Sequence, residues 1–179
     1  MKKIIWVCGI IAGIISVSWG VLSEAVIGDS LSLTTRMIFG YATMVLAFSL
    51  IFVGIKNYRD NYSNGQITFG KALGIGLLIT LIASTVYVAI WMIDFAYFVP
   101  DFGEKYQAQA VAEMKAGGLS AAEIQKQSAE MAAMMTRYKT SAAFRAMFTY
   151  MEIAPVGIVM SLIAALVLKR RSEPTTVNV

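Results

Sequence analysis

Four stretches of this sequence stay apolar for long enough to cross a bilayer, and no other feature constrains the fold as tightly. Ile4 to Leu22, Leu33 to Ile55, Ala72 to about Val99 and Phe144 to Leu168 are broken only by occasional small or polar residues. A helix needs about 20 residues to cover the hydrocarbon thickness, and each run supplies them. Hydrophobic residues make up 58% of the chain, above the ~45–50% usual in soluble domains. They also collect in blocks, whereas a soluble core interleaves them at helical or strand period. The expected fold is all-α: one membrane domain spanning 1–179, a four-transmembrane-helix bundle with helices at about 4–23, 34–55, 72–94 and 148–168.

The first run is longer than the ~7–15 apolar residues of a signal peptide, although Ser23-Glu24-Ala25 resembles a small-residue cleavage site. It is therefore expected to remain as a helix. Gly9, Gly13, Ser16 and Gly20 recur along it at steps of four, three and four. That places them on one face able to pack closely against another helix. In the third run Gly76, Thr80, Ser84, Tyr87, Trp91 and Asp94 form a similar small-to-polar stripe, expected to face protein rather than lipid. Pro155 is expected to kink the fourth helix.

Between the third and fourth runs, about 101–140, lies the water-soluble part, which splits at Gly117-Gly118 into two helical patterns. Ser120 with Glu123 has the spacing of a capping box. Ile124, Met131, Met135 and Tyr138 fall on one face, with Gln125, Lys126 and Glu130 away from it. An external amphipathic helical hairpin between helices 3 and 4 is expected. The polar tail, 172–179, is expected to be disordered.

Net charge is +4 and the isoelectric point about 9.2, but the cations sit beside the apolar runs rather than in one patch. They read as membrane anchors, not as a nucleic-acid surface. With the amino terminus inside, Lys2, Lys3, Lys56, Arg59, Lys71, Lys169, Arg170 and Arg171 all fall on the cytoplasmic side. Both termini are then cytoplasmic. Ser63-Asn64-Gly65 marks a turn in this inner segment. Tyr58, Arg59, Asp60, Phe69 and Lys71 around it form either an interfacial loop on anionic lipid or a cytoplasmic docking segment.

The chain has no histidine, and its only cysteine is Cys8. Intrachain disulfides, Cys/His zinc sites and Ser-His or Cys-His catalysis are excluded. No metal or cofactor is expected, and Cys8 reads as a small buried hydrophobe. Glu24, Asp94 and Glu152 are the acids at or near membrane depth, where a charge costs at least ~2.5–3.5 kcal/mol. Asp94 and Glu152, with Tyr87 and Trp91 and with Tyr41 and Tyr150 nearby, are candidates for an ion- or proton-binding polar pocket. The plainer alternative is that each acid meets interfacial water or pairs with Arg36 or Arg145. There is no phosphate-binding loop, and no motif of an intramembrane aspartyl protease, so an enzyme is not expected.

Gly40-Tyr41, Lys56 with Tyr58-Arg59-Asp60, Gly65 through Phe69-Gly70-Lys71-Ala72 and the segment MEIAPVG around Glu152 resemble the bacterial membrane-protein family DUF4199. The resemblance implies four helices in a bacterial cytoplasmic (inner) membrane and brings no activity with it. The expected function is non-enzymatic partner binding or assembly, with the bilayer and a membrane protein or a second copy as partners. The alternative is a small ion- or proton-coupled transporter using the membrane-depth acids.

Overall fold

A computed structural model describes residues 2–23 and 31–170. Glu24, the Gly28-Asp29-Ser30 link, Arg171 and the 172–179 tail lie outside the described residues, and with them the expectations placed there. The helices are α1 (Lys2–Leu22), α2 (Leu33–Phe48), α3 (Leu50–Tyr62), α4 (Phe69–Tyr97), α5 (Phe102–Ala116), α6 (Ala121–Thr140) and α7 (Ala142–Leu168). Among the described residues there is no strand, only an isolated two-residue bridge between Ile67 and Arg170.

Helices α2 and α3 make one span, Leu33–Tyr62, interrupted at Ser49. There the hydroxyl donates to the Leu46 carbonyl at 2.6 Å, the local back-bonding by which serine disturbs a helix. This span, α1, α4 and α7 are each long and apolar enough to cross a membrane. Their outward residues suit lipid rather than water: Trp6, Ile38, Leu46, Leu81, Leu166 and Val167 are all more than half exposed. Helices α1, α4 and α7 each begin two or three residues before their apolar blocks. The second span was expected to end near Ile55, yet its helix continues to Tyr62.

The direction of each span can be read from its contacts. A Cβ on Gly9 would meet Ile82, and one on Gly13 would meet the Ala83 carbonyl and Val86, so α1 and α4 run parallel. Gly54 lies by Cys8, and Gly40 by Trp19, so the second span runs antiparallel to α1. Gly76 abuts Ser161, Gly157 abuts Thr80, and the Tyr150 hydroxyl bonds Thr85 at 2.9 Å, so α7 runs antiparallel to α4. Lys2, Lys3, Lys56, Arg59, Lys71, Lys169 and Arg170 therefore gather at one end.

Helix α4 sits against both α1 and α7. Its buried residues include Gly76, Thr80, Ser84, Tyr87, Trp91 and Asp94, the stripe that the sequence marks out. Small residues suit this position because lipid tails are as apolar as leucine, which leaves close packing to drive association. Helix α7 continues through Pro155 as a single helix. The ring lacks an N–H, so the Met151 carbonyl loses its usual donor within the helix.

Candidate functional site

Three regions hold the residues that the sequence singles out. The first is the end of α4 opposite the basic end. Asp94 is 8% exposed, and its Oδ2 has no hydrogen-bond partner among the described residues. One turn earlier, Trp91 donates its indole N–H to the Tyr138 hydroxyl at 2.6 Å. Trp91 also meets Phe102 edge-on at 5.2 Å between centroids, and Phe95 meets Tyr138 in the same way at 5.6 Å. These rings join α4, α5 and α6, and burial in this cluster pushes the Tyr138 phenol up.

Arg145, near the start of α7, is buried at the same junction. Its guanidinium donates to the carbonyls of Tyr138 at 2.9 Å and Lys139 at 3.3 Å. These carbonyls lie in the last turn of α6, where helix carbonyls have no intrahelical donor and the macrodipole is negative. The guanidinium carbon lies 4.1 Å from the Phe95 ring centroid, in cation–π range, and Nε approaches the Met92 sulfur at 3.3 Å. Pairing of Arg145 with an acid, one of the alternatives open from sequence, is absent among the described residues. Backbone acceptors and ring faces compensate its charge instead.

Glu152 is elsewhere. In the α4–α7 register it lies level with Thr85, whereas Asp94 lies level with Ala143. About nine residues separate the two levels, roughly 13 Å at 1.5 Å per residue, which two short side chains do not close. The two acids, candidates from sequence for one polar pocket, are thus not brought together. Glu152 is solvent- or lipid-exposed, within electrostatic reach of Tyr87, which is itself buried and also near Tyr41. Among the described residues no cluster of acids, cysteine or histidine is arranged to hold a metal ion.

The second region is the basic end. Asn64 and Gly65 both adopt positive φ, 49° and 77°, which makes the turn between α3 and α4. Ile67 and Arg170 exchange two backbone hydrogen bonds of 2.9 Å, tying this turn to the end of α7. Arg59 pairs with its neighbour Asp60 at 2.7 Å. Tyr58 stacks on Tyr62, and the Lys71 ammonium lies 5.6 Å over the Tyr58 ring. The segment is folded, and Phe69 stands on its outer side, 36% exposed.

The third is the α1 face. Gly9 and Gly13 lie so close to α4 that an added Cβ would come within 2.7 Å of it, and Ser16 is buried. Gly20 departs from the expected face: a Cβ there would meet nothing within 4 Å among the described residues. The helical spacing is right, but the close approach does not extend that far.

Sequence reasoning missed one contact set. The Glu113 carboxylate on α5 accepts from the Leu33 backbone N–H at 2.7 Å, at the start of α2, and Gln109 donates to the Leu31 carbonyl at 2.7 Å. A carboxylate there satisfies an orphan donor and meets the positive end of the α2 dipole.

A sequence profile described as a protein of unknown function, DUF4199, matches residues 8–170. The chain belongs to this family. The matched range takes in α1 from Cys8 onward, the other three spans and the α5–α6 pair, and the DUF4199 description names no activity. No curated protein and no solved structure matches the chain.

Proposed function

We propose that this DUF4199 protein is a non-enzymatic assembly protein of the bacterial cytoplasmic membrane, with both termini cytoplasmic. It holds the α5–α6 pair on the outer side, as an external hairpin, for a membrane-protein partner or a second copy. The supporting observation is that this pair is fixed at two separate places. Glu113 and Gln109 fasten α5 to the start of α2, while Arg145 and the Trp91–Tyr138 bond fasten α6 to α7 and α4. A simple connection between spans needs neither attachment. The outward residues of α6, Gln125, Lys126 and Glu130, are left exposed for contact, while Met131 and Met135 turn inward and Met135 packs by Gly103 of α5. A photo-crosslinker at Glu130 should capture one defined partner or a second copy, and one at Leu81 on the lipid-facing side should not. Equal capture at both positions would refute this reading.

A second reading, ion- or proton-coupled transport, is favoured by the buried unpartnered oxygen of Asp94. In proteoliposomes, Asp94→Asn and Glu152→Gln should each abolish flux if the acids carry ions. Partner capture should survive both substitutions if the protein is an assembly factor.

A further inference from the structure

The glycines of the spans differ in what surrounds them. At Gly9, Gly13, Gly54, Gly76 and Gly157 a Cβ would come within 3 Å of a neighbouring helix, so each permits a close approach. Gly70 and Gly74, one turn apart at the start of α4, meet nothing within 4 Å among the described residues. Apart from proline, glycine is the poorest helix former, and here no packing compensates it. What the two glycines leave is an open groove of about 170 Å³ between α1 and α4, lined by Ile5, Gly70, Lys71, Gly74, Ile75 and Leu78. That is near the ~150 Å³ of an apolar cavity able to hold benzene, and so large enough for a stretch of hydrocarbon chain.

The groove is apolar along its length and cationic at its end. Lys71 borders it, with its ammonium held over the Tyr58 ring. Because α1 runs parallel to α4, with Gly9 level with Ile79 and Ile82, the exposed Lys2 and Lys3 stand within the first two turns of α4, about level with Gly74. The N-terminus of α4 adds its own partial positive charge. Asp60 is the neighbouring acid, and its charge is taken up by Arg59. An apolar slot at membrane depth leading to several cations has the charge and shape of a lipid with an anionic headgroup.

We propose that this groove is a binding site for an anionic phospholipid of the bilayer. One acyl chain lies over Gly70 and Gly74 against Leu78, and the phosphate meets Lys71 with Lys2 or Lys3. The site would fix lipid at the α1–α4 seam, on the far side of the molecule's length from the α5–α6 pair.

The test is native mass spectrometry of protein released from vesicles of equal phosphatidylcholine and phosphatidylglycerol with identical chains. The native protein should retain phosphatidylglycerol preferentially. Lys71→Gln should lower that enrichment about fivefold, as expected for one cation at an anionic surface. Gly74→Leu, which leaves charge unchanged and has room for its side chain, should remove the enrichment by filling the slot. Lys169→Gln, at the same end but away from the groove, should leave it intact. Retention by Gly74→Leu equal to native, or equal losses for Lys71→Gln and Lys169→Gln, would reduce the effect to diffuse attraction and overturn the site. Gly70→Leu serves as a second filling variant; failure of both to fold would show that the groove is not open, with the same consequence.

Discussion

The α1–α4–α7 seams and the junction of α4, α6 and α7 hold helices together by opposite means. In the seams one partner at each close approach is a glycine: Gly13 lies against the Ala83 carbonyl, Gly76 against Ser161, and Gly157 against Thr80 and Phe48. At the junction the side chains are as large as proteins use, with Trp91, Phe95, Tyr138 and Arg145 filling the space between helix ends. The difference follows from the solvent on either side. Inside hydrocarbon, burying an apolar side chain gains nothing over leaving it in lipid, so tight backbone contact decides. At the membrane edge rings and cations find partners on both sides, and α6, outside the spans, contributes carbonyls that a membrane helix would keep for itself.

The sharpest way to break this contrast is to put bulk into a seam. Gly13→Ile drives a side chain into the Ala83 backbone, which has no freedom to yield, and overpacking of this kind costs about 1–3 kcal/mol or more. The denaturation midpoint in detergent should fall clearly, while Ile14→Leu, on the exposed side of the same helix, should shift it by less than about 0.5 kcal/mol. Equal effects at the two positions would remove the case for close packing.

A more local effect is expected at the junction. Arg145→Gln removes charge-assisted bonds to two carbonyls, each of a kind worth about 1.5–3 kcal/mol. Hydrogen exchange should quicken in the last turn of α6 while α1 stays protected. Arg145→Lys should be intermediate, since lysine keeps the charge but lacks the planar fork. Uniform quickening in all helices would mean that Arg145 supports the whole molecule and not the junction alone.

The smallest effect is electrostatic. Lys139 beside Glu104, and Lys105 beside Asp101, hold those carboxyls below their ordinary values of 4.5 and 3.8. Lowered folded values mean stability that is complete above the ordinary values and lost as pH falls through the folded ones. Exchange protection of α5 and α6 should therefore be flat from neutral pH to about 5 and decline below the ordinary values, less so in high salt because both acids are exposed. Protection that weakened between pH 7 and 5 would point to other groups.

Much of this was legible in the sequence because it rests on periodicity and local chemistry. The stripe from Gly76 to Asp94 is buried as its spacing implies, the Asn64-Gly65 turn has the positive φ angles that these residues tolerate, and Ser120 with Glu123 forms the capping box. The end of the second span was misjudged for an instructive reason. The polar stretch from Lys56 to Tyr62 marks where the chain leaves hydrocarbon, but a helix satisfies its own backbone and need not stop there. Arg145 and Glu113 were harder still. Charge reasoning looks for an opposite side chain, whereas these two bind backbone groups, which every residue carries and no sequence pattern distinguishes.

The parallel pairing of α1 with α4 also sets a schedule for biogenesis. The face of α1 at Gly9 and Gly13 is made some 70 residues before Ile79, Ile82 and Ala83, which cover it. At ~5–20 residues per second this gap lasts roughly 4–14 s. Throughout it the first helix presents a smooth, glycine-lined surface to whatever occupies the insertion site. A chaperone, a second nascent chain or an early lipid could rest there, until arrival of the third span displaces it.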